Sequence, residues 1–373
     1  MLHLIFGLPW LVVVARFLQP LPWLFSVKAT LAVLLLIASQ YHYVSRLSSG
    51  SVFSAEFPRL LVIGFNFLLG ALIFLAAFQL ALDALFLVLT LFKGHFPTVP
   101  VGVRYAMGIT ALGLSAFGVS QAIVVPPLKD VEIRIHGLPQ AFDGYTLIQL
   151  ADLHISRLFP AGWAEAVVQR ANGLDADVIA ITGDLIDGVV ETRRADVAPL
   201  AGLSARDGVY VIPGNHEYFF DVDRWMEHFA SLGMRTIANG HAVISREGQQ
   251  LVLAGVTDLS APRSGSPGPD LAAALSGAPE NAPVLLLDHQ PMRAPRAAKA
   301  GVALQLSGHT HGGLVLGLDR IIARANNGFV SGLYQVGGTQ LYVNNGTGLW
   351  PGFALRLGPS AELTRITLRR STM

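Results

Sequence analysis

Three short apolar, β-branched runs each stop at a burst of Asp, Asn and His: LIQLADLH ending at His154, DVIAITGDLID ending at Asp187, and GVYVIPGNHE ending at Glu217. In an open α/β sheet the carboxyl ends of the strands are where ligands sit, so the three bursts are expected to converge on one place. They supply Asp152, His154, Asp184, Asp187, Asn215 and His216. Two later bursts, LLLDHQP with His289 and SGHTHGG with His309 and His311, follow further apolar runs. Taken singly, a strand-end Asp reads as a turn residue or helix cap, and a lone His as a hydrogen-bonded core or surface group. Taken together, on separate strands and flanked by glycines, they read as a ligand list for two metal ions.

The residue types suit that chemistry. Asp-x-His puts two side chains on one side of a strand end, because strand side chains alternate, so Asp152 and His154 can grip one ion together. Asp184 follows Gly183, which lets the backbone turn sharply, and its two oxygens make it the best bridging candidate. Asn215 offers a neutral oxygen. The imidazoles of His289, His309 and His311 favour ions such as Mn, Fe or Zn over Ca or Mg. His3, His42, His95, His136, His228 and His241 have no such company.

Charge divides the chain. Residues 1–128 carry eight charged side chains (Arg16, Lys28, Arg46, Glu56, Arg59, Asp83, Lys93 and Arg104), and the other 43 lie in 129–373. With six basic and two acidic groups the first part is +4, which leaves −3 for the second out of a total of +1. The expected domains are therefore a transmembrane helical region, 1–128, and a catalytic domain, 129–373. Apolar windows at 29–45, 60–82 and 105–125, with a shorter one at 2–18, predict about four spans, against about 20 residues needed for each. YHYVSRLSSGS and KGHFPTVPVGVR read as connecting loops. The third window stays apolar past Asp83 to Phe92, about 50 Å if helical, so it is expected to tilt, kink or leave the lipid, with Asp83 a solvated interfacial residue. Basic residues flank every loop, which leaves the orientation undecided. Localisation as an integral protein of the plasma (inner) membrane follows, with the side of the catalytic domain open.

After Pro126-Pro127, strand and helix patterns alternate to the β-rich end, predicting an α/β domain of two face-to-face sheets with helices outside. The absence of cysteine excludes disulfides and thiolate metal sites. A −3 domain without a cluster of Lys, Arg and aromatics gives no reason to expect nucleic acid as a partner, and nothing implies a protein partner.

The order DLH, GDLID, GNHE, a lone His and GHTH, over about residues 140–370, resembles the calcineurin-like metallophosphoesterase family. That resemblance implies a four-layer metallophosphoesterase β-sandwich flanked by helices. It places Asp152, His154, Asp184 and His311 around one divalent ion and Asp184, Asn215, His289 and His309 around a second. It makes His216 the proton donor to the leaving oxygen or a stabiliser of the transferring phosphoryl group, with Asp187 orienting the imidazole. Several N-terminal spans resemble the branch called transmembrane protein with metallophosphoesterase domain, which is similar to membrane-associated hydrolases of UDP-2,3-diacylglucosamine. The reading is a metal-dependent hydrolase of a phosphoester substrate, lipid-linked and borne by the bilayer, as a phosphodiester or pyrophosphate. A nuclease or general phosphodiesterase of the same chemistry, or a silent sensor or binding module, are the alternatives. A transporter is disfavoured because the spans lack paired intramembrane charges. Two positions depart from the family pattern: Leu314 stands where GHTHGG is commonly followed by Gln, and Asp288 precedes His289. Phe159, Pro160, Trp163, Trp350 and Phe353 are candidates for an apolar rim.

Overall fold

A computed structural model describes residues 2–94 and 97–371. The chain forms two compact units, one of residues 1–122 with 351–357, the other of 123–350 with 358–373.

In the helical unit the apolar windows wind into α1 (Leu2–Val12), α2 (Phe25–Ser39), α3 (Tyr41–Ser49), α4 (Arg59–Lys93) and α5 (Val101–Ala122). Among the described residues α4 and α5 are each long and apolar enough to cross a membrane. The other two windows do less than expected. α2 and α3 form at best one broken span, bent by 57° at Gln40, and the first window gives a shorter apolar helix over Ile5–Leu18. YHYVSRLSSGS is helix rather than loop through Ser49, because nothing in it breaks a helix before Gly50. That glycine ends it at φ 78°, its N–H returning to the Arg46 carbonyl at 2.8 Å.

α4 runs unbroken past Asp83, and Asp83 is paired rather than simply solvated. Arg16 grips it with Nε at 3.1 Å and Nη2 at 3.0 Å, and Gln79 Nε2 donates to it at 2.8 Å. Arg16 lies in a π-helical turn, Val13–Leu18, closed by the Gln19 N–H on the Val14 carbonyl at 3.0 Å. The expectation that the spans lack paired charges is thereby corrected.

Residues 351–357 belong with the helices. Asn66 of α4, fully buried, donates to the Pro351 carbonyl at 2.8 Å and accepts the Ala354 N–H at 2.6 Å, while the Tyr41 hydroxyl donates to Pro351 at 3.1 Å. The Arg356 N–H reaches the Gly118 carbonyl at 2.9 Å. Gly70 and Gly118 leave the room: a Cβ on either would meet Leu355 within 3 Å.

The second unit is the expected α/β sandwich. Its strands are β1 (Leu128–Ile135), β2 (Thr146–Leu150), β3 (Val178–Ile181), β4 (Val209–Val211), β5 (Arg235–Thr236), β6 (Gly240–Arg246), β7 (Gln249–Gly255), β8 (Val284–Leu287), β9 (Leu304–Ser307), β10 (Gly332–Val336), β11 (Thr339–Val343) and β12 (Leu363–Arg370). Its helices are α6 (Ala161–Asn172), α7 (Val190–Val197), α8 (Asn215–Phe219), α9 (Val222–Ser231), α10 (Leu271–Leu275), α11 (Ala294–Lys299) and α12 (Asp319–Ala325). One sheet has the order β1-β12-β2-β3-β4-β5, the other β10-β11-β9-β8-β7-β6. β2 to β5 run parallel, as do β7, β8, β9 and β11, so each sheet sends a row of carboxyl ends the same way.

Alternation builds the core. Leu147, Val178, Ala180, Tyr210, Ile366 and Leu368 of the first sheet pack on Leu251, Leu253, Leu285, Leu287, Leu304 and Leu306 of the second. Each fully buried aliphatic there contributes roughly 1.5–3 kcal/mol of burial, which fixes register, because a one-residue slip would turn these faces outward. The other face of the second sheet buries Val252, Ala254 and Leu286 under Ala274 of α10 and Ala297 of α11. Leu287 and Leu306 are thus held rigidly just before His289 and His309.

Candidate metal centre

Three of the loops that follow strands beside the site turn through left-handed backbone. Asp152, His154, Asp184, His309 and His311 all sit at positive φ, between 47° and 71°. L-residues avoid this region, and strained backbone of this kind gathers at functional sites. The strand-alternation argument for Asp152 and His154 therefore does not describe them, since β2 has already ended at Leu150. Both side chains reach the site from a loop anchored by the Asp152 N–H on the Gly183 carbonyl and the His154 N–H on the Asp184 carbonyl, each at 3.0 Å. The GHTHGGL turn is tighter still. Thr310 N–H bonds back to Gly308 at 2.8 Å and Val315 N–H to Gly313 at 2.7 Å, two γ-turns centred on His309 and Leu314. Leu314 has φ 64° and ψ −64°, so the departure from the family pattern falls on a strained residue.

Glycine is required where the turns meet. A Cβ on Gly183 would stand 2.5 Å from the Gly214 nitrogen, and one on Gly308 2.3 Å from Asp152 Oδ2. These approaches let separate loops share one small volume.

The structure brings all nine predicted site residues together. Asp184 Oδ1 accepts the His216 backbone N–H at 2.8 Å, and Oδ2 stands among three imidazoles: His289 Nε2 at 3.3 Å, His154 Nε2 at 3.8 Å and His216 Nε2 at 4.0 Å. Asn215 Oδ1 lies 3.0 Å from His289 Nε2 and 2.9 Å from His309 Nδ1. His154 Nε2 faces His311 Nε2 at 3.3 Å, and Asp152 Oδ1 lies 3.8 Å from that same His311 nitrogen. Three groups have ligand atoms all within 4.8 Å of one another: Asp152, His154 and His311; His154, Asp184 and His216; Asp184, His289 and His309.

The outer faces of the rings are pinned. Asp187, fully buried, takes His154 Nδ1 on one oxygen at 3.1 Å and His216 Nδ1 on the other, so it braces two imidazoles rather than His216 alone. His289 Nδ1 donates to the Thr182 carbonyl at 2.8 Å. With Nδ1 carrying the proton, the Nε2 lone pairs of His154 and His289 point inward, the tautomer a metal ligand needs. Inward-facing lone pairs on nitrogen, carboxylate and amide oxygen repel one another, and a divalent cation between them suits this donor set.

Electrostatics agrees with the geometry. Burial pushes the Asp152 carboxyl up to about 6. For Asp184 burial also acts upward, but His289 and His216 outweigh it and hold the carboxyl well below its ordinary value. Burial lowers His216, yet Asp184 and Asp187 raise it to about 9. The buried carboxylates thus draw positive charge into the pocket.

Sequence reasoning missed three supports. Glu217, fully buried, accepts the N–H groups of Gly214 (2.7 Å), Asp184 (2.9 Å) and Leu185 (2.7 Å), tying two turns together. Its position in the first turn of α8, three residues after Gly214, was a readable signal. Arg193, also buried, donates to the Asp187 carbonyl at 2.9 Å, and nothing in its surroundings in the sequence marks it. Phe219, 43% exposed, lies 5.1 Å from the His216 ring. It is an aromatic beside the site. Phe159 and Trp163, expected at an apolar rim, are instead buried against each other at 4.6 Å.

Comparison with known proteins bears on the same stretch. Residues 145–313 match the model of the family described as calcineurin-like phosphoesterase. The chain is 31% identical over 286 residues to an uncharacterized metallophosphoesterase, YkuE, of Bacillus subtilis, covering 74% of this chain and 96% of that one. The chain belongs to the calcineurin-like phosphoesterase family. It is also similar to proteins named transmembrane protein with metallophosphoesterase domain, 36% identical in Danio rerio and 37% in Bos taurus, over 71% and 69% of this chain. The matched stretch spans about three fifths of those two relatives, 62% and 60% of their lengths.

Proposed function

We propose that this chain is a membrane-anchored phosphoester hydrolase that works with two divalent metal ions, of the Mn, Fe or Zn type. The observation that carries the reading is the convergence of nitrogen and oxygen ligand atoms from Asp152, His154, Asp184, Asn215, His289, His309 and His311, five of these residues standing at positive φ on three loops. Asp152, His154, Asp184 and His311 would hold one ion, and Asp184, Asn215, His289 and His309 the other. Ions so held would supply an activated water at neutral pH and charge stabilisation for phosphoryl oxygens.

The chain's own residues do the rest. Asp184 offers Oδ2 to both groups of ligands because Oδ1 is held by the His216 N–H. Asp187 fixes the His216 Nδ1 so that Nε2 faces the pocket, and its carboxylate favours the protonated ring. His216 would give a proton to the leaving oxygen, the role of a positioned general acid.

The substrate we favour is a lipid-linked phosphodiester or pyrophosphate, in its sharpest form one like UDP-2,3-diacylglucosamine. What supports it is placement: a site on the same chain as helices long and apolar enough to cross a bilayer meets lipid-borne substrates at high effective concentration. The test is a panel of phospholipids, nucleotide-sugar lipids and generic phosphodiesters assayed with Mn in detergent. Preferential cleavage of a lipid-linked diester or pyrophosphate is expected. Cleavage of generic phosphodiesters alone would remove the lipid part, and no cleavage of any would leave a silent binding module.

A further inference from the structure

The helical unit holds a cavity of about 320 Å³, at the lower end of ligand-sized pockets, roughly 300–1,000 Å³. Its walls include Phe17, Leu18, Trp23, Leu75 and Ile109, all apolar or aromatic, together with Arg104. Arg104 is only 8% exposed. Among the described residues its Nη1 reaches the Arg16 carbonyl and, at 3.5 Å, Gln79 Oε1, while its Nε and Nη2 have no protein partner. A guanidinium carries five N–H donors, so most of this one's hydrogen-bonding capacity is unspent inside an apolar chamber.

The charges around it do not cancel. Arg16 and Asp83 neutralise each other through two hydrogen bonds, and Arg104 beside them is the excess cation. Arg16 and the cavity residues Phe17 and Leu18 lie on the π-helical turn Val13–Leu18. Such turns cost regular hydrogen bonding and recur at functional sites. An ionisable group buried in a membrane segment is by default functional, and basic pockets between spans hold anionic head groups.

The geometry points to a binding site for an anionic phospholipid, with one hydrocarbon chain in the cavity and its phosphate on Arg104. The site lies wholly in the helices, takes no residue from the metal centre, and rests on the reading that these helices span a bilayer. Gly108 lines the cavity, and an added Cβ there would already stand 3.3 Å from Phe17 Cζ, so a large side chain at 108 would fill part of it.

The experiment uses the full chain in nanodiscs of equal phosphatidylglycerol and phosphatidylcholine with matched chains. Lipid that stays bound on transfer to mild detergent is counted by native mass spectrometry. The wild type should keep one phosphatidylglycerol in preference to phosphatidylcholine by about fivefold, the effect of one cation near an anionic head group. Arg104→Gln should abolish the preference, Arg104→Lys should keep most of it, and Gly108→Phe should reduce retention of both lipids. Equal retention of the two lipids by the wild type, or none, overturns the proposal without reference to any variant. A preference that survives Arg104→Gln overturns the role of Arg104. Extraction of the chain from membranes by carbonate without detergent would instead overturn the bilayer reading on which the site rests.

Discussion

Both units bury polar groups, and they bury them in opposite ways. In the helical unit buried donors mostly meet acceptors: Asn66 spends its amide on Pro351 and Ala354, and the Ser115 hydroxyl donates to the Phe67 carbonyl. In the sandwich potential metal ligands crowd one another: Asp184 Oδ2 stands among three imidazoles, and His154 Nε2 faces His311 Nε2. The first arrangement satisfies itself and holds structure together. The second suits a divalent cation. Complementary burial is architecture, and like-with-like burial on strained backbone is a site.

The sharpest way to break that comparison is to alter its centre. Asp184→Asn should empty or disorder the metal pair and cost about 10³-fold or more in turnover, since losing cation stabilisation removes several kcal/mol. Metal content and turnover measured on the same preparation check it. If the variant kept both ions and full rate, Asp184 would not be a bridge.

His216→Ala separates chemistry from metal holding. Both ions should stay bound while turnover falls about 10²–10⁴-fold, as for a positioned acid. Loss of metal in this variant would make His216 a ligand. Asp187→Asn should cost about 10–100-fold in metal affinity and rate together, because Asp187 orients both His154 and His216. An effect on rate with unchanged affinity would restrict it to His216.

In the helical unit the same logic predicts a loss of structure and no loss of metal. Asn66→Leu leaves the Pro351 carbonyl and the Ala354 N–H without their partner, at about 1–3 kcal/mol each. Limited proteolysis should then cut within 351–357 faster than in the parent, at unchanged metal content. Equal cutting rates would show that Asn66 does not hold the segment.

The smallest effect is expected at Asp177. Burial raises its carboxyl, but the Thr146 N–H and Arg246 outweigh that and hold it below the ordinary value. A depressed carboxylate adds stability above its unfolded pKa, about 3.9, and that contribution fades as pH falls through the folded value. The stability gap between the parent and Asp177→Asn should therefore be full at pH 6 and shrink below about pH 4. A gap that does not change with pH would assign the effect to packing.

Much of this was legible in the sequence. The three bursts after β2, β3 and β4, and those at His289 and His309, marked the site because strand ends in a parallel sheet must converge. The hairpin of β10 and β11 turns on the Gly337-Gly338 pair, and α9 opens on Asp221, whose Oδ1 accepts the Arg224 N–H, both local signals of turn and cap chemistry. Other features were not local and could not be read. Arg193 supports Asp187 through a fold contact with no pattern of its own. Asp83 looked solvated because its partner, Arg16, lies 67 positions away. Phe353 read as a candidate for an apolar rim, since only the folded chain brings Asn66 to the backbone of 351–357. Strain was invisible too: a leucine at position 314 gives no sign of its positive φ.

A second unit built around two divalent ions must carry them through purification. Elemental analysis of the purified, catalytically active full chain tests it most directly. Close to two equivalents of transition metal per chain are expected, with phosphodiesterase activity lost on chelation and restored on adding metal back. Active protein holding only trace metal, with turnover indifferent to chelator, would contradict it.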